Sequence, residues 1–217
     1  MLEAWLPGEE GGNAVADVLF GDACPGGKLP ITFPRSVGQI PIHYSHKPSG
    51  MRSQWYVDYV SEKVTPLYSF GHGLSYTTFA YSDLRLSRAC ATRGESIDVS
   101  LSVANSGPRA GDEVVQLYVR DEFATIPRPV KELKGFVRLN LEPGEKRRVV
   151  FHLPINLLAF YDEDLKLVLE PGKISVMVGS SSEDIRLSAE FEIIGAEKMP
   201  VQERLYDCPV EVLPGDH

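Results

Sequence analysis

From residue 83 onward apolar and polar positions alternate with a period of two. Ile97, Val99, Leu101 and Val103 are separated by Asp98, Ser100 and Ser102, and Val115, Leu117 and Val119 by Gln116 and Tyr118. Successive side chains of a strand point to opposite faces of its sheet, so this alternation predicts half-buried strands. Further strands are predicted over 84–87, 136–141, 148–153, 165–169, 174–178 and 185–193. Asn105-Ser106-Gly107 and Glu142-Pro143-Gly144-Glu145 mark turns between them. Strands at this spacing, with no sustained helical period, predict an antiparallel β-sandwich.

The first third of the chain follows another pattern. Val15, Val18 and Leu19 share one face at helical spacing after Asn13, a good N-cap, and Gly21 is placed to end the helix in a left-handed conformation. Beyond the turn at Pro25-Gly26-Gly27, residues 29–33 predict a short strand ended by Pro34. A helix of about two turns cannot bury its apolar face alone, and Trp5 needs partners that its neighbours do not supply. The opening therefore reads as the end of a larger α/β sheet, a small α/β remnant over residues 1–34. Residues 35–82 read as a long extended connector, rich in Pro, Gly, Ser and aromatics. Its last part, YSFGHGLSYTTFAY (residues 68–81), has Gly71 and Gly73 to shape the backbone and too much aromatic area for a solvated loop. It is expected to be packed. The sandwich is expected over 83–194. The tail, 195–217, carries enough apolar residues to fold back onto the sandwich or the connector.

Composition narrows the partners. Hydrophobic content of 43% and charged content of 24% are those of an ordinary globular protein. The net charge of −8 makes nucleic acid an unsuitable partner. Cys24, Cys90 and Cys208 are too few and too far apart for a disulfide framework or a Cys-based metal site, which predicts reduced thiols in a cytoplasmic setting. MLEAWLPGEEGG has neither the basic start nor the apolar run of a signal peptide, and no segment predicts a membrane helix.

Candidate chemistry is sparse. His43 and His46 lie three residues apart without further ligands at suitable spacing, so no metal and no cofactor are expected. Glu9 and Glu10 stand just before the helix, where the dipole explains acidic residues, and adjacent residues do not face one another across a bond. GxSxG, P-loop and GxGxxG motifs are absent. His46, Asp58, His72 and Ser75 are the residues an unrecognised hydrolase would use, though nothing in their order pairs a base with a nucleophile.

Three stretches together carry a family resemblance: LPGEEGGNAVADVLFGDACPGGKLPITFP, PLYSFGHGLSYTTFAY, and RPVKELKGFVRLNLEPGEKRRVVFHL, followed by LEPGKISVMVGSSSEDIRL. In this order they resemble the C-terminal portion of family 3 glycoside hydrolases, the β-glucosidase and β-xylosidase group. The resemblance implies the end of the family's α/β sandwich domain, then a connector, then a fibronectin type III-like domain. It also implies that both catalytic carboxylates lie outside this chain, and retaining glycoside hydrolysis needs two. No catalytic residue is therefore assigned. The resemblance implies a connector that runs towards the active-site side, as in some members of the family, which makes Arg52, Trp55 and His46 candidates for a substrate rim, with anchoring of the connector as the competing role for its aromatics. The implied function is that of an accessory part of an enzyme acting on β-linked glucosides or xylosides, meeting substrate only with the missing catalytic domains, and self-associating or binding a partner chain. An autonomous carbohydrate- or protein-binding module is the alternative.

Overall fold

A computed structural model describes residues 1–48 and 63–215. One helix, α1 (Gly11–Phe20), precedes twelve strands: β1 (Phe79–Leu86), β2 (Cys90–Ala91), β3 (Ser96–Asn105), β4 (Gly111–Asp121), β5 (Glu132–Leu141), β6 (Lys146–Pro154), β7 (Phe160–Tyr161), β8 (Leu167–Leu169), β9 (Gly172–Gly179), β10 (Ile185–Ile193), β11 (Met199–Pro200) and β12 (Val210–Pro214). Every strand predicted from the alternation is present.

Two sheets face each other, one ordered β1-β3-β6-β12 and the other β2-β10-β9-β4-β5; β11-β8-β7 form a small third sheet. Pairing is antiparallel apart from the short β2–β10 contact. The apolar members of the alternating runs meet between the sheets. Ile97, Val99 and Val103 of β3, Phe151 and Leu153 of β6, Val115 and Leu117 of β4, and Val176 and Val178 of β9 are all completely buried. Each such side chain contributes about 1.5–3 kcal/mol on leaving water. This is the core of the molecule.

β4–β5 and β9–β10 are pairs within one sheet, whereas the Asn105 and Glu142 turns carry the chain from one sheet to the other. Asn105 fixes the first crossing. Its amide donates to the carbonyls of Arg109 (2.7 Å) and Leu141 (2.9 Å), while its Oδ1 accepts from the Thr77 hydroxyl (2.6 Å) and the Gly107 amide (3.1 Å). All four bonds of this buried side chain are made, so a polar group in the interior is compensated in full.

The tail does wrap onto the sandwich. β12 extends one sheet by pairing with β6, β11 joins β8, and Cys208 is buried where a β-carbon on Gly135 would meet it and Phe151.

Two local expectations are corrected. The helix starts earlier than predicted, at Gly11 with Glu10 at the N-cap and no side-chain cap, and Asn13 instead donates to the Glu10 carboxylate at 2.6 Å from within the first turn. Gly21 does end it, at φ 86°. Residues 29–33 do not form a strand: the chain bends at Pro30 and Ile31, and Phe33 makes a single bridge with Tyr68. Leu29 and Phe33 bond across to His72, Gly71 and Tyr68 of the connector, because the described residues offer them no sheet to join.

Candidate functional site

Part of the Tyr68–Tyr81 stretch is packed: residues 70–71 dock on the outer face of β4 at the end of β9 and Phe79–Tyr81 enter β1, while Leu74 and Tyr76 stay exposed. Gln116 forms the seat. Its amide donates to the Ser180 carbonyl at 2.6 Å and to the Gly71 carbonyl at 3.3 Å, and its Oε1 accepts from the Tyr118 hydroxyl at 2.6 Å. Ser182 N donates to the Phe70 carbonyl (3.0 Å). Gly71 has φ 78°, and a β-carbon there would lie 2.1 Å from Gln116 Oε1, so both backbone shape and space demand glycine.

A second layer joins from the earlier part of the connector. Tyr44 stacks on Phe70 at 4.3 Å between ring centres and meets Tyr118 edge-on at 5.8 Å. Its hydroxyl accepts the Leu133 amide at 3.2 Å, and burial pushes the phenol above its ordinary pKa. Val130 N donates to the His46 carbonyl at 2.9 Å. Residues 42–48 thereby run against the β4–β5 loop. On the far side of the connector, Arg35 donates to the Thr65 carbonyl (2.9 Å) and Gln39 to that of Lys63 (2.7 Å). Both flanks of residues 49–62 are thus held, one of them directly by the sandwich.

Of the predicted rim residues, His46 is half-buried, with Nδ1 2.9 Å from the Lys47 carbonyl, an acceptor that makes this nitrogen the donor. Arg52 and Trp55 lie outside the described residues, as does Asp58. His46 borders an open polar groove of about 1040 Å³ over β4, β9 and β10. Its charges are already paired: Arg120 with Glu122 at 3.2 Å, Lys173 with Glu190 at 2.6 Å.

The remaining candidates are not brought together. The His72 ring stacks on Tyr68 at 5.3 Å, and burial, aided by Lys28, holds its pKa below the ordinary imidazole value. Ser75 Oγ lies 3.2 Å from Cys24 Sγ and accepts the Thr77 amide, with no imidazole in its bonding. Glu9 and Glu10 are exposed at the helix start. Among the described residues no group of three or more His, Cys, Asp or Glu is placed to hold a metal ion.

Sequence reasoning missed Gln116 and Tyr118. As the polar members of an alternating run they read as solvent-facing, yet both are buried by the connector docked over them. Glu113 differs: it shares the inward parity of Val115 and Leu117 and pairs there with Lys28 at 3.0 Å, both side chains being largely covered.

Comparison with known proteins locates both parts of the molecule. Residues 1–76 match the Glycosyl hydrolase family 3 C-terminal domain and residues 113–182 the Fibronectin type III-like domain. The chain is 46% identical to the periplasmic β-glucosidase of Salmonella typhimurium over 200 residues, covering 89% of this chain and 26% of the relative. It is 47% identical to a β-xylosidase of Formosa agariphila over 182 residues, covering 84% of this chain and 25% of that protein. The structure of a β-glucosidase from Listeria innocua in complex with glucose is similar at a TM-score of 0.81 and 39% identity, over 89% of this chain and 28% of that one. The chain thus spans about a quarter of the length of the relatives it matches.

Proposed function

We propose, from the premise that this chain belongs to glycosyl hydrolase family 3 as its C-terminal portion, that it is an accessory, non-catalytic part of an enzyme acting on β-linked glucosides or xylosides. The observation that carries this reading is the docked connector. Gln116, Ser180 and Ser182 seat residues 70–71, while Val130 and Leu133 hold His46 and Tyr44. The sandwich is then a platform for the described part of the connector. Arg52, Trp55 and His46 are the proposed rim contacts to sugar, an aromatic face and charged donors being what a pyranose uses. The two carboxylates that glycoside hydrolysis needs come from the remaining domains, on this polypeptide or another.

Those domains also have a surface waiting for them. Leu6, Leu19, Phe20 and Val37 are exposed by 97%, 65%, 85% and 84%, and large apolar side chains left this open favour burial against a partner or, in the isolated chain, self-association. No helix among the described residues is long and apolar enough to cross a membrane, and the three cysteines are free. A cytoplasmic setting remains part of the proposal, and cell fractionation tests it, since one relative is named periplasmic.

The test is turnover of chromogenic β-glucoside and β-xyloside by the purified 217-residue chain, alone and mixed with a separately expressed remainder of a relative. No turnover alone and activity on mixing is expected, with Arg52→Ala and Trp55→Ala raising KM. Turnover by the pure chain would overturn the accessory reading.

A further inference from the structure

Tyr161 ends β7, and Tyr206 lies in the tail between β11 and β12. Both rings stand in solvent, 48% and 83% exposed. Arg204 sits between them, its guanidinium carbon 5.8 Å from the centre of the Tyr161 ring and 5.7 Å from that of Tyr206. The backbone that carries this array is tied down on both sides. Val201 and Cys208 are buried, Leu205 packs against the core, Val201 N donates to the Leu167 carbonyl (2.9 Å), and His152 N donates to the Pro209 carbonyl (2.8 Å). Each cation–π contact at an exposed site is worth about 0.5–1 kcal/mol, enough to keep the guanidinium between its rings.

We infer that Tyr161, Arg204 and Tyr206 form a surface that binds a neutral β-linked oligosaccharide. A pyranose has apolar C–H faces that lie on aromatic rings and hydroxyls that take bonds from phenol and guanidinium groups. Two tyrosines bridged by an arginine present both kinds of contact side by side, within the span of a short oligosaccharide. Other occupants fit less well. An anionic ligand would pair with the guanidinium and leave both ring faces unused, and an apolar partner would strip water from the Arg204 guanidinium and from both phenol hydroxyls. The choice of a β-linked glycan rests on the proposed function; the exposed array does not.

Native affinity electrophoresis of the 217-residue chain in gels containing laminarin, xylan or dextran tests it. Retardation by laminarin or xylan is expected, and a Tyr161→Ala/Tyr206→Ala variant should bind at least tenfold more weakly with an unchanged thermal melt. Arg204→Lys keeps the charge but loses the fork, and should fall between. No retardation of the wild type, equal retardation of the double variant, or retardation by dextran as strong as by the β-glycans would each overturn the inference. Turnover of small chromogenic substrates on mixing with the remainder should be untouched by the tyrosine changes. The two proposals therefore fail separately.

Discussion

The sandwich and the segments before it are stabilised by different physics. Every buried apolar side chain among the described residues lies at Phe79 or later, while residues 1–48 and 63–78 expose Trp5, Leu6, Phe20, Ile31 and Val37. The earlier part is held to the sandwich chiefly by polar contacts. Lys28 pairs with Glu113, Arg138 donates to the Gly26 carbonyl at 3.0 Å, and Arg109 donates to that of Gly21. A net hydrogen bond is worth only about 1 kcal/mol. One region carries its own stability, and the other borrows it.

The sharpest way to break that contrast is a matched pair of truncations. Phe151→Ala empties a completely buried position in β6 and should cost about 3–5 kcal/mol in urea unfolding. Phe20→Ala should stay within about 0.5 kcal/mol and lower self-association in sedimentation. Comparable losses from both would mean that the helix is part of the core after all. Lys28→Met comes next, because it leaves the covered Glu113 carboxylate without its partner. Loss of a partner in a buried pair costs about 3–5 kcal/mol, and the lower end is expected here because opening of the early segment rehydrates Glu113. Faster amide exchange over residues 21–34, with the sandwich strands unchanged, would show it.

Gly71→Ala tests the seat itself. The left-handed φ costs about 1–2 kcal/mol for a side-chain-bearing residue, and the new β-carbon runs into Gln116. The expected result is a loss of about 1–3 kcal/mol, confined to the connector, read as protease cutting near residues 63–72 in an otherwise folded sandwich. Cooperative loss of the whole fold would instead make the connector part of the core.

The same division explains what the sequence let one read. A core strand writes its environment into its own alternation, so the inward faces of β3, β4, β6, β9 and β10 were legible. Short strands such as β7, β11 and β12 are too brief to carry a period, and β12 exists because β6 offers a free edge. Residues 29–33 have the composition of a strand but no sheet to join among the described residues, so composition misled. Gln116 and Tyr118 looked solvent-facing because alternation reports only the sandwich's own interior and is blind to a connector laid over the outer face. The family motifs supplied that docking partner's identity, though not its contacts. The Tyr161–Arg204–Tyr206 array joins residues over forty positions apart and has no linear signal at all.

The smallest predicted effect runs in opposite directions in the two regions. Asp121, at the end of β4, has its carboxyl raised to about 6 by burial, against Arg128 and the Phe123 amide, with Glu170 and Glu132 adding to the rise. An unfolded aspartate titrates near 3.9, so the folded state holds the proton more tightly, and the stability this contributes is full below about pH 4 and lost as pH rises through about 6. Solvent reaches the group, so the effect is on the order of 1 kcal/mol. Asp121→Asn should therefore be more stable than wild type at pH 7, with the difference closing towards pH 4. His72 has the reverse sign. Its folded pKa is depressed, so its contribution is present above the ordinary imidazole value and fades as pH falls below it. Lowering the pH from 7 to 5 should raise the urea midpoint of wild type relative to Asp121→Asn. Over the same range the amides of Gly71 and His72, which bond to the Leu29 and Ser69 carbonyls, should lose protection after correction for intrinsic exchange. Parallel movement of both signals would mean that the two regions unfold as one.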